Sequence, residues 1–142
     1  MPITFHPKPG QILLCDFTGF REPEMIKKRP VLILTDQFKG RAGLTTIVPL
    51  STVKPAQIQP YHFKIPKQLM PMVGFYQGSD SWVKGDMIYT VSFDRLNLIQ
   101  LGKRDAPGKR LYFKNKLDKI QMSQIYQCVL HGLNLGQLAI HL

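Results

Sequence analysis

Acidic residues are scarce in this 142-residue chain: nine Asp and Glu face nineteen Lys and Arg, a formal net charge of +10. Such an excess attracts polyanions over about one Debye length, ~10 Å at ordinary salt. Nucleic acid is the commonest partner of that kind, ahead of an acidic protein or an anionic membrane surface; a merely solvated basic surface is the plainer reading. Cysteine is scarcer still. Cys15 and Cys128 lie far apart in apolar surroundings without metal-type spacing, so both read as buried, reduced thiols of a cytoplasmic protein. No run approaches the ~18 apolar residues of a membrane-spanning helix, and "MPITFHPKPG" lacks the charged start and apolar stretch of a secretory signal. His6, His62, His131 and His141 are dispersed, with no HExxH or paired CxxC. There is no phosphate-cradling glycine loop and no GxSxG elbow. Any catalysis therefore uses ordinary side chains, with no metal and no cofactor. No internal repeat or linker divides the chain, so residues 1–142 read as one domain.

Eleven prolines and eleven glycines punctuate many short elements. "GQILLCDF" (10–17) alternates and reads as a first strand, "RPVLILTD" (29–36) as a short buried one, and "LTTIVPLST" (44–52) as its β-branched hairpin partner. Pro30 suits the first residue of a strand, having no N–H to give a ladder. "YHFKI" (61–65) reads as a short strand, 66–81 as loop with room for one short strand, and "WVKGDMIYTVSF" (82–93) as strand-like. "RLNLIQLG" continues or turns back along it, "KRDAPGKR" is a basic turn, and "LYFKNKL" (111–117) is a further strand candidate. The one helix predicted closes the chain. Ser123 is its expected N-cap, Ile125, Tyr126, Val129 and Leu133 its apolar stripe, and Gly132 and Gly136 its stopping points.

The stretch "EPEMIKKRPVLILT" (22–35) holds Glu24 and Arg29 five residues apart at the mouth of a core strand. Taken alone, the two are an ordinary surface ion pair worth ~0–1 kcal/mol. Taken with "GQILLCDF", "IVPLST", "GDMIYTVSFDRL" and the closing helix, the order and spacing over residues 10 to 133 resemble the MazF/PemK toxins. The Glu-x4-Arg-Pro feature, followed about twenty residues later by Pro-x-Ser/Thr-Ser/Thr, is the most specific part of that likeness. The resemblance implies a mainly β fold: a small SH3-like (CcdB/MazF-type) antiparallel β-barrel with a C-terminal α-helix. It also implies a homodimeric, metal-independent endoribonuclease that cleaves single-stranded RNA and is silenced by a small acidic antitoxin. On that likeness Arg29 occupies the position of the catalytic arginine and Glu24 that of the acidic residue in the preceding loop. Ser51 and Thr52 take the hydroxyl positions, and Asp86 opens the strand motif. Met87 stands where the family has Gln and Tyr89 where it has a basic residue, while Lys84 can supply that cation from two residues before Asp86.

RNA carries its own nucleophile, the 2′-hydroxyl beside the scissile phosphate. Cleavage then needs a base for that proton, a cation for the charged phosphorane and an acid for the leaving 5′-oxygen. Glu24 or Asp86 serves as base if its environment raises its pKa. Arg29, a planar fork of N–H donors with a reference pKa above ~12, suits charge stabilisation and proton donation better than proton removal. Ser51 or Thr52 offers one donor to the phosphate. Lys27, Lys28, Lys54, Lys84 and Tyr89 are the candidate RNA contacts, the lysines through electrostatic attraction rather than base readout. Trp82, Tyr89 and Phe93 can stack on bases, though core packing is the commoner fate of such rings. Asp86 after Gly85 can equally shape a bulge or turn. Two other readings compete: a non-catalytic RNA- or protein-binding barrel, and a CcdB-like topoisomerase poison.

Overall fold

The computed structural model describes residues 1–74 and 78–142. Strand β1 (Ile12–Asp16) pairs antiparallel with β2 (Lys28–Ile33), and β2 with β3 (Leu44–Ser51), the hairpin expected from sequence. Then come β4 (His62–Ile65), β5 (Ser81–Lys84), β6 (Tyr89–Ser92) and the two-residue β7 (Leu96–Asn97). The strand order is β4-β5-β3-β2-β1-β7, with β6 also on β3. Among the described residues this is an open path, curved by the strand that both halves share. Strands β8 (Gln100–Arg104) and β9 (Arg110–Tyr112) form a separate two-stranded ribbon whose turn is the basic segment seen in the sequence. Helix α1 (Lys119–Gly132) packs on the sheet near the end of the chain. The fold is therefore mainly β and antiparallel with a C-terminal α-helix.

Alternation sorts the core into two clusters. Ile12, Leu32, Val48, Leu50 and Val83 face α1 through Met122 and Ile125; Leu13, Cys15, Val31, Ile33, Ile47 and Val91 face the other way with Phe17 and Leu96. Both cysteines are buried and unpaired. Burial pushes the Cys15 thiol up to about 12, against the pull of Arg95, and the Cys128 thiol up to about 11.

Several expectations need correction. Pro30 is the third residue of β2, not the first; it is tolerated because the β3 ladder begins only at Val31↔Pro49. The segment 82–93 is two strands. From Leu50 to Ile47 is three residues along β3, while their partners Val83 and Tyr89 are six apart, so three extra residues turn out of the ladder. Strand β9 is shorter than the predicted 111–117: Phe113 leaves the ribbon to donate its N–H to the Ile99 carbonyl, and Lys116 only bridges Gln11. The stretch 66–81 holds a 3-10 turn (Lys67–Leu69) and the first residue of β5, while residues 75–77 lie outside the described residues.

The helix starts five residues before Ser123. Asp118 is the N-cap, accepting from the Gln121 N–H at 2.8 Å while Gln121 Oε1 accepts from the Asp118 N–H at 2.9 Å, a reciprocal capping box. Its stop is Asn134, at φ 61°, and not a glycine. The N–H groups of Asn134 and Leu135 return to the His131 and Leu130 carbonyls, closing the last turn as a Schellman motif. Leu133 thus leaves the expected stripe and is 52% exposed, its place in the buried face taken by Met122 and Cys128.

Candidate active site

The loop between β1 and β2 carries Glu24, Lys27 and, at its far end, Lys28 and Arg29. It is tied down residue by residue. Asp16 Oδ1 accepts from the Thr18 N–H (3.0 Å) and hydroxyl (2.6 Å), and these two bonds hold its carboxyl below the usual range. The Phe17 N–H donates to the Lys27 carbonyl at 2.8 Å and closes the loop at its neck. Arg95, from the turn before β7, donates from one nitrogen to the carbonyls of both Asp16 and Thr18 at 2.8 Å each and lays its guanidinium over the Phe20 ring at 4.9 Å. Phe17, Phe20 and Tyr89 meet pairwise at 5.4 Å between ring centroids. From the start of β6 the Tyr89 hydroxyl accepts from the Met25 N–H at 3.0 Å.

Held this way, the loop sets its charged groups. The Arg21 N–H donates to Glu24 Oε1 at 2.9 Å, and the Glu24 N–H donates back to the Arg21 carbonyl at 2.8 Å. Glu24 is exposed. Lys27 is exposed too, in the left-handed region at φ 66°. Arg29 is half-buried, its Nε donating to the Ile26 carbonyl at 3.3 Å, so the terminal fork nitrogens remain for a ligand. Carrying the Val31↔Pro49 register two residues further brings Arg29 opposite Ser51, on the same face of the sheet. Ser51 is paired with Trp82 across β5, and Trp82 with Lys64 across β4. Arg29, Ser51, Trp82 and Lys64 thus form one row over four strands. Ser51 Oγ accepts from the Val53 N–H at 3.1 Å, which leaves its own proton to donate. Thr52, Lys54, Lys64 and Trp82 line a shallow cleft of about 390 Å³ with Asp80 at the end of that row.

The other predicted residues lie elsewhere on the molecule. Asp86 and Met87 belong to the turn between β5 and β6, closed by the Met87 N–H on the Lys84 carbonyl at 3.0 Å. Asp86 is exposed and raises the pKa of the nearby His62 ring, but burial outweighs it and the imidazole stays below its ordinary value. Lys84 pairs with His62 in the ladder. His62 Nδ1 accepts from the Gln59 N–H at 3.0 Å, a structural bond. Asp86 lies across β3 from Arg29, and among the described residues no hydrogen bond joins any two of Glu24, Arg29, Ser51 and Asp86. Nor do three His, Cys, Asp or Glu side chains converge there as metal ligands would. Arg95, Phe17 and Phe20, which fix the loop, had no sequence signal beyond their types.

The sequence pattern of the PemK-like, MazF-like toxins of type II toxin–antitoxin systems matches residues 8–132. An uncharacterized protein of Haemophilus influenzae is 33% identical, over 84% of this chain and 87% of its own. The Escherichia coli protein YifN is 31% identical, over 94% of this chain and 96% of its own. Among solved structures, MazF from Deinococcus radiodurans superposes with a TM-score of 0.62 at 16% identity, covering 92% of this chain and 98% of that one. A mycobacterial endoribonuclease in complex with its cognate antitoxin does so at 0.56 and 21% identity, covering 91% and 96%. Those two likenesses establish a common fold. With the family pattern running from just before β1 to the end of α1, this chain belongs to the PemK-like, MazF-like toxins of type II toxin–antitoxin systems.

Proposed function

We propose that this protein is an endoribonuclease that cuts single-stranded RNA by attack of the 2′-hydroxyl on the adjacent phosphorus. The observation that carries this reading is the clamped β1–β2 loop, which carries Glu24 and leads into β2 where the register sets Arg29 opposite Ser51 at the end of β3. The 2′-oxygen gives its proton to Glu24 as its bond to phosphorus forms. Arg29 and Ser51 donate to the non-bridging oxygens as charge builds on the phosphorane. The bond from phosphorus to the 5′-oxygen then breaks, and that oxygen takes a proton from Arg29 or water. The products are a 2′,3′-cyclic phosphate and a 5′-hydroxyl. Asp86, across β3, suits a contact further along the RNA better than the proton transfer. Lys27, Lys54 and Lys84 supply attraction for the backbone.

The partners follow from the same surface. A small acidic antitoxin suits a chain of net charge +10, and the mycobacterial relative of this fold is bound to its cognate antitoxin. A homodimer is supported by Leu133, Leu138, Ile140 and Leu142, each more than 40% exposed at the end of the chain. No described helix is long and apolar enough to cross a membrane.

The test is incubation of the purified protein with a long mixed-sequence RNA in excess EDTA, beside Arg29→Ala. Discrete cleavage with 5′-hydroxyl ends that survives chelation and is lost in the variant is expected. Ends bearing 5′-phosphate would refute the mechanism. RNA that is bound but left intact by the wild type would leave a non-catalytic binding barrel instead.

A further inference from the structure

The basic surface is concentrated where the family reading assigns no role. Residues 103–119 hold seven of the nineteen Lys and Arg and only two acids, Asp105 and Asp118. Both carboxylates are engaged by backbone N–H groups: Asp105 Oδ1 accepts from the Lys109 N–H at 2.8 Å, and Asp118 caps α1. The one ion pair among the described residues is elsewhere, between Lys8 and Asp36. Lys103, Arg104, Lys109 and Arg110 are exposed on the β8–β9 ribbon, which stands off the main sheet.

A cleft of about 930 Å³ opens at the base of this ribbon, bounded by the N-terminal segment. Arg110 and Lys28 both line it, with Phe5 and Tyr112 among its walls and Leu14 in its floor. Phe5 is 43% exposed. Lys28 immediately precedes Arg29, and alternation along β2 turns the two side chains to opposite faces of the sheet rim. A strand of RNA leaving Arg29 therefore reaches the cleft by crossing the first residue of β2. Cations at its edge and aromatic rings in its walls match a polymer that repeats one phosphate and one flat base per unit. An acidic peptide offers the charge but not a flat ring on every repeating unit.

We propose that the cleft and the β8–β9 ribbon form a second RNA subsite, which holds single-stranded nucleotides beyond the scissile phosphate. Lys28, Arg110 and the ribbon cations take phosphates, and Phe5 and Tyr112 take bases. Its placement along the substrate rests on the nuclease reading above; its ability to bind RNA does not.

The experiment is fluorescence anisotropy with a labelled 20-nucleotide RNA, 2′-O-methylated throughout so that 2′-attack is impossible, titrated at several salt concentrations. K103Q/K109Q/R110Q is expected to bind tenfold or more weakly than wild type. Its plot of log K against log salt should be shallower by roughly 2, at about 0.7 per lost phosphate contact on a single strand. Phe5→Ala is expected to lose about fivefold or more through stacking. Should the triple variant melt early, K103Q alone reads the same slope with a change of about 0.7. Unchanged affinity and slope would overturn the proposal. So would unchanged RNA binding with loss of poly-glutamate binding, which would assign the ribbon to an acidic protein. Because the methylated RNA cannot be cut, failure of wild type to cleave ordinary RNA would sink the nuclease reading and leave this measurement intact.

Discussion

Replacing Gly132 with Ala sets two physical effects of opposite sign against each other. Alanine is the better helix former by about 1 kcal/mol in a helix interior, so propensity alone predicts stabilisation at this last residue of α1. Close packing predicts the reverse. A Cβ on Gly132 would lie 2.6 Å from the Gly85 carbonyl carbon and 2.7 Å from the Asp86 Cα, and closer still to the Gly85 carbonyl oxygen. All three are backbone atoms, so no rotamer change relieves them. Gly85 is locked from its own side, since a Cβ there would meet the Tyr61 and Cys128 carbonyl oxygens at 2.7 and 2.8 Å. The helix end must therefore lift by most of an ångström. That strains the seat of Met122 and Ile125 and the 2.6 Å bond from the Tyr126 hydroxyl to the Leu34 carbonyl. Overpacking of this kind costs about 1–3 kcal/mol, and the terminal position makes the propensity gain smaller than its interior value. We expect a net loss of roughly 2 kcal/mol, a fall in Tm of about 6 °C for a domain of this size. Calorimetry or denaturant melts of wild type and Gly132→Ala read it directly. A neutral or raised Tm would refute the interlock between helix and turn.

Asp118→Ala should cost about 1 kcal/mol, whereas Ser123→Ala, inside the helix, should be neutral or slightly stabilising; equal effects in urea melts would refute the capping box. Tyr89→Phe leaves the Met25 N–H without its acceptor, at a cost of about 1–3 kcal/mol. If the loop positions Arg29 for cleavage, this variant lowers kcat more than it raises KM, and an unchanged kcat would show that the bond is only structural. Burial holds the His62 ring below its ordinary value of 6.5, so the fold favours the neutral imidazole. Its share of stability is complete above that value and is lost as pH falls through it, because the unfolded chain takes up the proton first. His62→Asn should flatten the fall in stability as pH drops below the ordinary imidazole value of 6.5, and parallel curves for the two proteins would contradict it. Cys15 and Cys128 should resist Ellman's reagent at pH 8 until the protein is unfolded, since their raised pKa values leave almost no thiolate; prompt labelling of the native protein would disprove their burial.

The strands legible from sequence are those whose cause is local. β1, β2 and β3 are apolar or β-branched runs bounded by turn residues, and all three lie within two or three residues of the bounds read from sequence alone. The break at Gly85 was not legible, because the close approach that requires a glycine there is to the carbonyls of Tyr61 and Cys128, the latter on a helix that arrives only at the end of the chain. The helix start is a different matter. Asp118 and Gln121 have the spacing of a capping box in the sequence itself; Ser123 is the more conspicuous candidate because it stands two residues before Ile125 and Tyr126. The end of α1 shows the limit of residue-type rules, for Asn134 takes the left-handed position although two glycines flank it.

At the candidate site, the family likeness singled out candidate residues but not what holds them. Glu24, Arg29 and Ser51 stand out through the family likeness, and the β2–β3 register then brings Arg29 and Ser51 to one face. What makes this loop a platform, and not a solvated turn, comes from residues remote in sequence: Arg95 on two carbonyls, and Tyr89 on an N–H and two aromatic rings. Tyr89 is also where the sequence resemblance implies a basic residue. Read from sequence, that departure takes a cation away from the RNA. In the structure the ring and hydroxyl are spent on the loop that carries Arg29, and cations are plentiful on the β8–β9 ribbon instead. A lysine or arginine at position 89 would place its stem beside Phe17 and Phe20, and would leave the Met25 N–H unpaired. On the RNA reading proposed above, the two features complement each other: a tyrosine fixes the loop that carries Arg29, and the exposed β8–β9 ribbon carries the positive charge that position 89 lacks.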